Sequence, residues 1–161
     1  MRRTCFSVLV ALTSFCAFAQ HAKVGDHVRN VAADDPAMTA AIAKARSTLD
    51  EFLAIAKDPP AGASGFKIKV MVTESAGVEH LWFTPFEQRG DAFVGVLAND
   101  PQVITSMMAG EVYEVRRDQV TDWGYVLDGK QKGSFTVCAL FETMDPATVE
   151  LYRRDHGFEC R

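Results

Sequence analysis

The sequence lacks almost everything that announces a reaction. It has no GxSxG nucleophile elbow, since Gly62-Ala63-Ser64-Gly65 falls one residue short, and it has no HExxH motif or phosphate-binding loop. Its four histidines, His21, His27, His80 and His156, are scattered, so no metal-ligand spacing emerges, and no cofactor fingerprint is present. Basic residues are in deficit, 17 against 21 acidic for a formal net charge of −4. That balance argues against nucleic acid or anionic membrane as partner, because both recruit Lys and Arg. Beyond the first twenty residues there is no internal repeat, no low-complexity tract and no apolar run long enough for a membrane helix. The four cysteines form no CxxC pair, which removes the usual redox motif.

What is present begins with an address. MRRTCFSVLVALTSFCAFAQ has the basic Arg2 and Arg3, an apolar stretch from Cys5 to Phe15, and the small-residue pattern Ala17-Phe18-Ala19. These are the three parts of a secretory signal, with cleavage expected near Ala19 and a soluble periplasmic or secreted product starting at Gln20. A lipoprotein signal would place a small residue directly before the acylated cysteine, whereas bulky Phe15 precedes Cys16. The reading is therefore a released protein with no stable membrane insertion. Losing residues 1–19 takes away two of the 17 basic side chains and none of the 21 acidic, moving the formal net charge from −4 to −6.

About 140 residues remain, which suits one domain around one core. Residues 20–34 are polar and aperiodic and read as a flexible leader; residues 35–161 form the expected domain. Asp35-Pro36 is a helix start, with an N-cap and a proline whose missing N–H costs nothing there. Met38, Ile42, Ala45, Leu49, Phe52, Leu53 and Ala56 then recur at helical spacing, predicting one amphipathic helix of about six turns that ends at Asp58-Pro59-Pro60. The period next changes to two. Phe66, Ile68, Val70 and Val72 alternate with Lys67, Lys69, Met71 and Thr73, as in a strand with one buried face. Further strands are expected at Glu79 to Phe86, Phe93 to Ala98, Val112 to Val115, Val120 to Leu127 and Ser134 to Phe141. Asp128-Gly129 is the hairpin turn before the last of these. Gly95 marks a bend or close contact, and Asp145-Pro146 opens a short helix capped by Gly157. The fold class is α+β: a long N-terminal helix on a curved, mainly antiparallel sheet of five or six strands, with a short C-terminal helix. Strand order is not readable.

Signal cleavage discards Cys5 and Cys16 and leaves Cys138 and Cys160. With Cys138 on a strand, the chain advances roughly 13 Å to Glu142. A helix from Pro146 to His156 folded back antiparallel covers about 15 Å and returns the tail near Cys138. A Cys138–Cys160 disulfide is expected, in keeping with an exported protein.

The carboxyl-terminal two-thirds carries several ordered motifs: Glu79-His80-Leu81-Trp82, the run from Phe93 to Pro101, Gly110-Glu111-Val112, Val120-Thr121-Asp122-Trp123-Gly124-Tyr125, and Gly133-Ser134-Phe135-Thr136. From about Phe66 to Leu140 this pattern resembles the bacterial domain of unknown function family 2314, the YegJ-like exported proteins. The resemblance implies an order of elements and brings no activity with it.

Two readings of the aromatic residues stand. If the strand faces bearing His80, Trp82 and Thr84 and bearing Trp123, Tyr125 and Leu127 meet, they form an aromatic wall with Glu79, His80 and Asp122 at its edge, suited to anchoring a ring or a protein loop. Otherwise both tryptophans are core residues. The preferred function is a non-enzymatic binding module of the cell envelope that uses Glu79, His80, Trp82, Asp122, Trp123 and Tyr125. Its partner would be an envelope protein or, for an immunity protein, a toxin delivered into the periplasm. The opposing expectation is an envelope hydrolase in which Glu79, His80 and Asp122 supply acid and base.

Overall fold

Asp35 begins the part of the chain that the computed structural model describes, residues 35–160. The secretory signal and the leader expected from the sequence lie outside the described residues. The Asp35 side chain accepts a hydrogen bond from the Met38 amide at 2.8 Å and opens helix α1, Pro36–Ser47. The predicted six-turn helix is two helices, because α1 stops and α2 runs separately over Leu49–Lys57. The reason sits at the junction. The Ser47 and Thr48 hydroxyls both donate back to the Lys44 carbonyl, at 2.9 and 2.8 Å, and Thr48 takes a non-helical φ of −112° and ψ of 9°. Such local bonds give the backbone an alternative to continuing the helix. The apolar stripe nevertheless stays on one side, burying Ala45, Leu49 and Phe52.

Six strands follow: β1 (Ala63–Glu74), β2 (Gly77–Arg89), β3 (Ala92–Leu97), β4 (Val112–Arg116), β5 (Val120–Leu127) and β6 (Lys130–Gly133). They form one antiparallel sheet in the order β4-β3-β2-β1-β5-β6. The register assigns each residue to a face. Ile68 lies opposite both Phe83 and Trp123, and Lys69 lies opposite both Trp82 and Asp122. The first set belongs to the face covered by α1 and α2, where Phe52 meets the rings of Phe66, Phe86, Trp123 and Tyr125. Gly95 fulfils its expectation: a Cβ there would lie 3.1 Å from Phe86 and 3.2 Å from Phe83, where β2 bulges against β3. The β5–β6 hairpin turns through Asp128 and Gly129, both at positive φ as a two-residue primed turn requires.

The strand predicted over Ser134 to Phe141 is not formed. β6 ends at Gly133, and Phe135–Leu140 is a short helix, α3. Gly133 and Ser134 turn the chain off the sheet with φ of 69° and 53°, and the Asp122 carboxylate then accepts the Phe135 and Thr136 amides at 3.1 and 2.8 Å. Those amides are the first free donors of a helix, so the carboxylate fixes helical over extended geometry. Helix α4, Pro146–His156, starts on Asp145 and ends at Gly157 as expected. Cys138 and Cys160 are joined, with Cα atoms 5.4 Å apart. The bridge ties α3, rather than a strand, to the tail, and Phe141, Tyr152 and Phe158 cluster beside it. No helix among the described residues is long and apolar enough to cross a membrane.

Candidate functional site

With α1 and α2 on one side, the other side of the sheet is open over β2, β3 and β4 and closed toward β5, where Lys69 and Gly124 are buried and Thr121, Asp122 and Thr136 are at most 2% exposed. Lys67, Lys69 and Met71 of β1, His80, Trp82 and Thr84 of β2, Val94 and Val96 of β3, and Val112 and Glu114 of β4 point that way by register. Trp82, Val94 and Val96 are half-buried, and Val112 is 61% exposed. Trp82 stands near the middle of this face. The Lys67 and Lys69 ammonium groups sit 4.9 and 4.6 Å from its ring centroid, inside the range where a cation is drawn to an indole face. Gly124, opposite Lys67, leaves room for this arrangement, because a Cβ there would come within 3.2 Å of the Lys67 Cε.

The expected aromatic wall does not assemble. Trp123 and Tyr125 are both buried on the covered face; the Trp123 indole N–H donates to the Ala45 carbonyl at 3.0 Å, and Tyr125 stacks on Phe66 at 5.0 Å. Neighbouring strands share faces in register, so Trp82 and Trp123 point to opposite sides of the sheet. The edge trio fails to converge for the same reason. Glu79 shares its face with Leu81 and is buried, and its carboxylate accepts the amides of Gln102, Val103 and Ile104. It anchors the loop after β3. Glu74, one turn away, accepts Thr105 and Ser106 in the same manner.

His80 and Asp122 do share the open side. His80 Nδ1 is 2.9 Å from the Thr121 hydroxyl, at the position where β5 bulges against β1. Although the residue is exposed at the surface, partial desolvation of the imidazole, then Lys69, then Arg46 hold its pKa down to about 4. Asp122 is fully buried and accepts four hydrogen bonds, from the amides of Trp123, Phe135 and Thr136 and from the Thr136 hydroxyl. Burial pushes its carboxyl pKa upward against the pull of Lys69 and Thr136. Lys69 Nζ donates to the Thr136 hydroxyl at 3.0 Å, which donates to Asp122 at 2.6 Å. The path Trp82–Lys69–Thr136–Asp122 therefore links the open face to the start of α3. Lys67, Lys69, Thr121 and Thr136 are the members that sequence reasoning missed. The two lysines were visible only as the polar half of β1, and their meeting with Trp82 depends on the strand register.

Two grooves have no wall at Trp82. One of about 920 Å³ runs between α2 and the β2–β3 end, with Leu53, Phe66, Pro85 and Phe86 among its walls; another of about 590 Å³ includes Arg46, Arg116 and Arg117. Among the described residues no three His, Cys, Asp or Glu side chains are grouped to hold a metal ion.

Comparison with known proteins agrees with this frame. A family model described as an uncharacterized protein conserved in bacteria (DUF2314) matches residues 35–160, a wider span than the motifs alone indicated. Uncharacterized protein YegJ of Escherichia coli strain K12 is 29% identical over 129 residues, covering 80% of this chain and 83% of that protein. A putative ankyrin repeat protein of Neisseria meningitidis serogroup B is 36% identical over 62 residues, which is 38% of this chain and 24% of that protein. No solved structure matches.

Proposed function

The chain belongs to the DUF2314 family of proteins conserved in bacteria, and we propose that it acts as an exported, non-enzymatic binding module of the cell envelope, engaging a protein partner through the open sheet face around Trp82. The observation that carries this reading is the division of the two tryptophans. Trp123 is spent on the core and on α1, whereas Trp82 stands half-buried on a face that the helices leave open, with two ammonium groups at its ring. A large amphipathic ring in that setting is the kind of group that dominates protein interfaces. The export reading rests on the signal pattern of residues 1–19 and on the compatible Cys138–Cys160 bridge. The hydrolase alternative needed Glu79, His80 and Asp122 in one cleft, and Glu79 lies on the other face holding a loop. The test is affinity purification from the native envelope fraction with wild-type and Trp82→Ala proteins side by side, read by mass spectrometry. A protein recovered reproducibly with the wild type and lost with Trp82→Ala supports the reading; equal recovery with both defeats it.

A further inference from the structure

We propose that the outer edge of β4 takes up an extended, basic segment of a partner protein as a seventh strand. The backbone of that segment bonds to Val112 and Glu114, and its Lys or Arg side chains meet Glu111 and Glu114. The inference goes beyond the open-face reading, because it stands on a strand edge and needs nothing from Trp82.

The two edges of the sheet are finished differently. At β6 the Gln131 amide donates to the Gly157 carbonyl at 2.9 Å, Lys130 pairs with Glu159 at 2.8 Å, and the Cys138–Cys160 bridge holds the tail that supplies both partners. β4 has no such cover. The Leu97 amide donates to the Glu111 carbonyl and the Arg117 amide to the Asp91 carbonyl, both at 3.0 Å, and these two bonds fix the phase of the β3–β4 ladder. Tyr113 and Val115 therefore turn their backbone groups toward β3, whereas Val112, Glu114 and Arg116 turn theirs outward. The Gln119 side-chain oxygen accepts the Arg116 amide at 2.9 Å and closes that end. The N–H and C=O groups of Val112 and Glu114 have no partner among the described residues. No proline or bulge interrupts β4, so the edge is a template for another extended backbone.

The side chains select the occupant. Glu111-Val112-Tyr113-Glu114 reads acid, apolar, aromatic, acid. Both glutamates are exposed, and among the described residues neither carboxylate has an ion-pair or hydrogen-bond partner. Met108 and Val112, at the start of this edge, are two of the three large apolar side chains that the described residues expose. An antiparallel strand reading Lys-Val-Val-Lys sets a lysine opposite each glutamate and valines opposite Val112 and Tyr113. Cross-strand pairs of opposite charge, and of aromatic with β-branched residues, are favourable. The formal net charge of −4 also draws a basic segment in from a distance. A second copy of the chain fits less well. Pairing β4 with itself about Tyr113 uses the same backbone groups, but it sets Val112 opposite Glu114, leaves every glutamate without a base opposite and brings two acidic molecules together.

The test titrates isotope-labelled, oxidised protein with the peptide acetyl-Thr-Lys-Val-Val-Lys-Thr-amide, up to about 1 mM, and follows amide exchange with water by NMR. Exchange should slow at Val112 and Glu114 by at least about twofold and stay unchanged in β1 and β5. N-methylation of the first lysine and the second valine, which removes the two donors aimed at β4, should abolish the effect. So should glutamate in place of both lysines. Glu114→Lys should lose the response to the original peptide and recover it with the peptide whose first lysine is glutamate. Unchanged exchange at Val112 and Glu114 overturns the proposal, as does an equal effect of the methylated or the glutamate peptide. Slowing that grows with protein concentration alone also overturns it, by seating a second copy on the edge. The edge is judged by these two amides and the open face by envelope capture with Trp82→Ala, so either reading can fail alone.

Discussion

At Asp122 a single carboxylate decides the conformation of residues thirteen and fourteen positions later. Its two oxygens accept from Trp123, Phe135 and twice from Thr136. Asp122→Asn would present an NH2 group to donors at one of those positions, leaving buried groups unpaired. We expect a loss of about 1–3 kcal/mol in urea unfolding, with amide exchange accelerated at Phe135 and Thr136. His80 gives a second, pH-dependent outcome. Its folded pKa of about 4 lies below the ordinary 6.5, so the unfolded chain takes up the proton first as pH falls. The stability that neutral His80 contributes is complete above about pH 6.5 and declines toward pH 4, and His80→Gln should flatten that part of the stability profile.

Among the elements, α3 and the break between α1 and α2 show where local signals give out. Gly133 sits at φ 69° with no room for a side chain, since an added Cβ would strike the Trp123 ring and carbonyl. Gly133→Ala should therefore lower stability by more than about 1 kcal/mol and disturb the near-UV signal of Trp123. The starts at Asp35-Pro36 and Asp145-Pro146 and the Asp128-Gly129 hairpin were legible because each is a few residues that act on their own neighbours. So was the alternation of β1. Ser134 to Phe141 also alternates, but its fate is set by Asp122 on another strand, and no window along the sequence contains that bond. Thr48 was passed over because a hydroxyl turning back to Lys44 does not disturb the apolar stripe. The site was half legible for a related reason. Alternation along β2 sets Glu79 apart from His80 and Trp82, but the separation of Trp82 from Trp123 and Tyr125 depends on β1 lying between β2 and β5.

For the molecule as a whole, the sheet divides the work: one face is closed by α1 and α2, the other is open at Trp82, and the Cys138–Cys160 bridge fastens α3 to the tail. Cross-linking residues 22 apart in sequence stabilises by about 3 kcal/mol through the unfolded state. The Cys138→Ser, Cys160→Ser double variant should lose about that much in denaturant unfolding. The division between faces is tested most directly by measuring partner affinity for Trp82→Ala and Trp123→Ala, each scaled to its fraction folded from a melting curve. Trp82→Ala should keep its melting temperature to within the shift of about 1 kcal/mol and lose the partner, whereas Trp123→Ala should lose about 3–5 kcal/mol of stability and bind normally when folded. Normal partner affinity in folded Trp82→Ala would contradict the account.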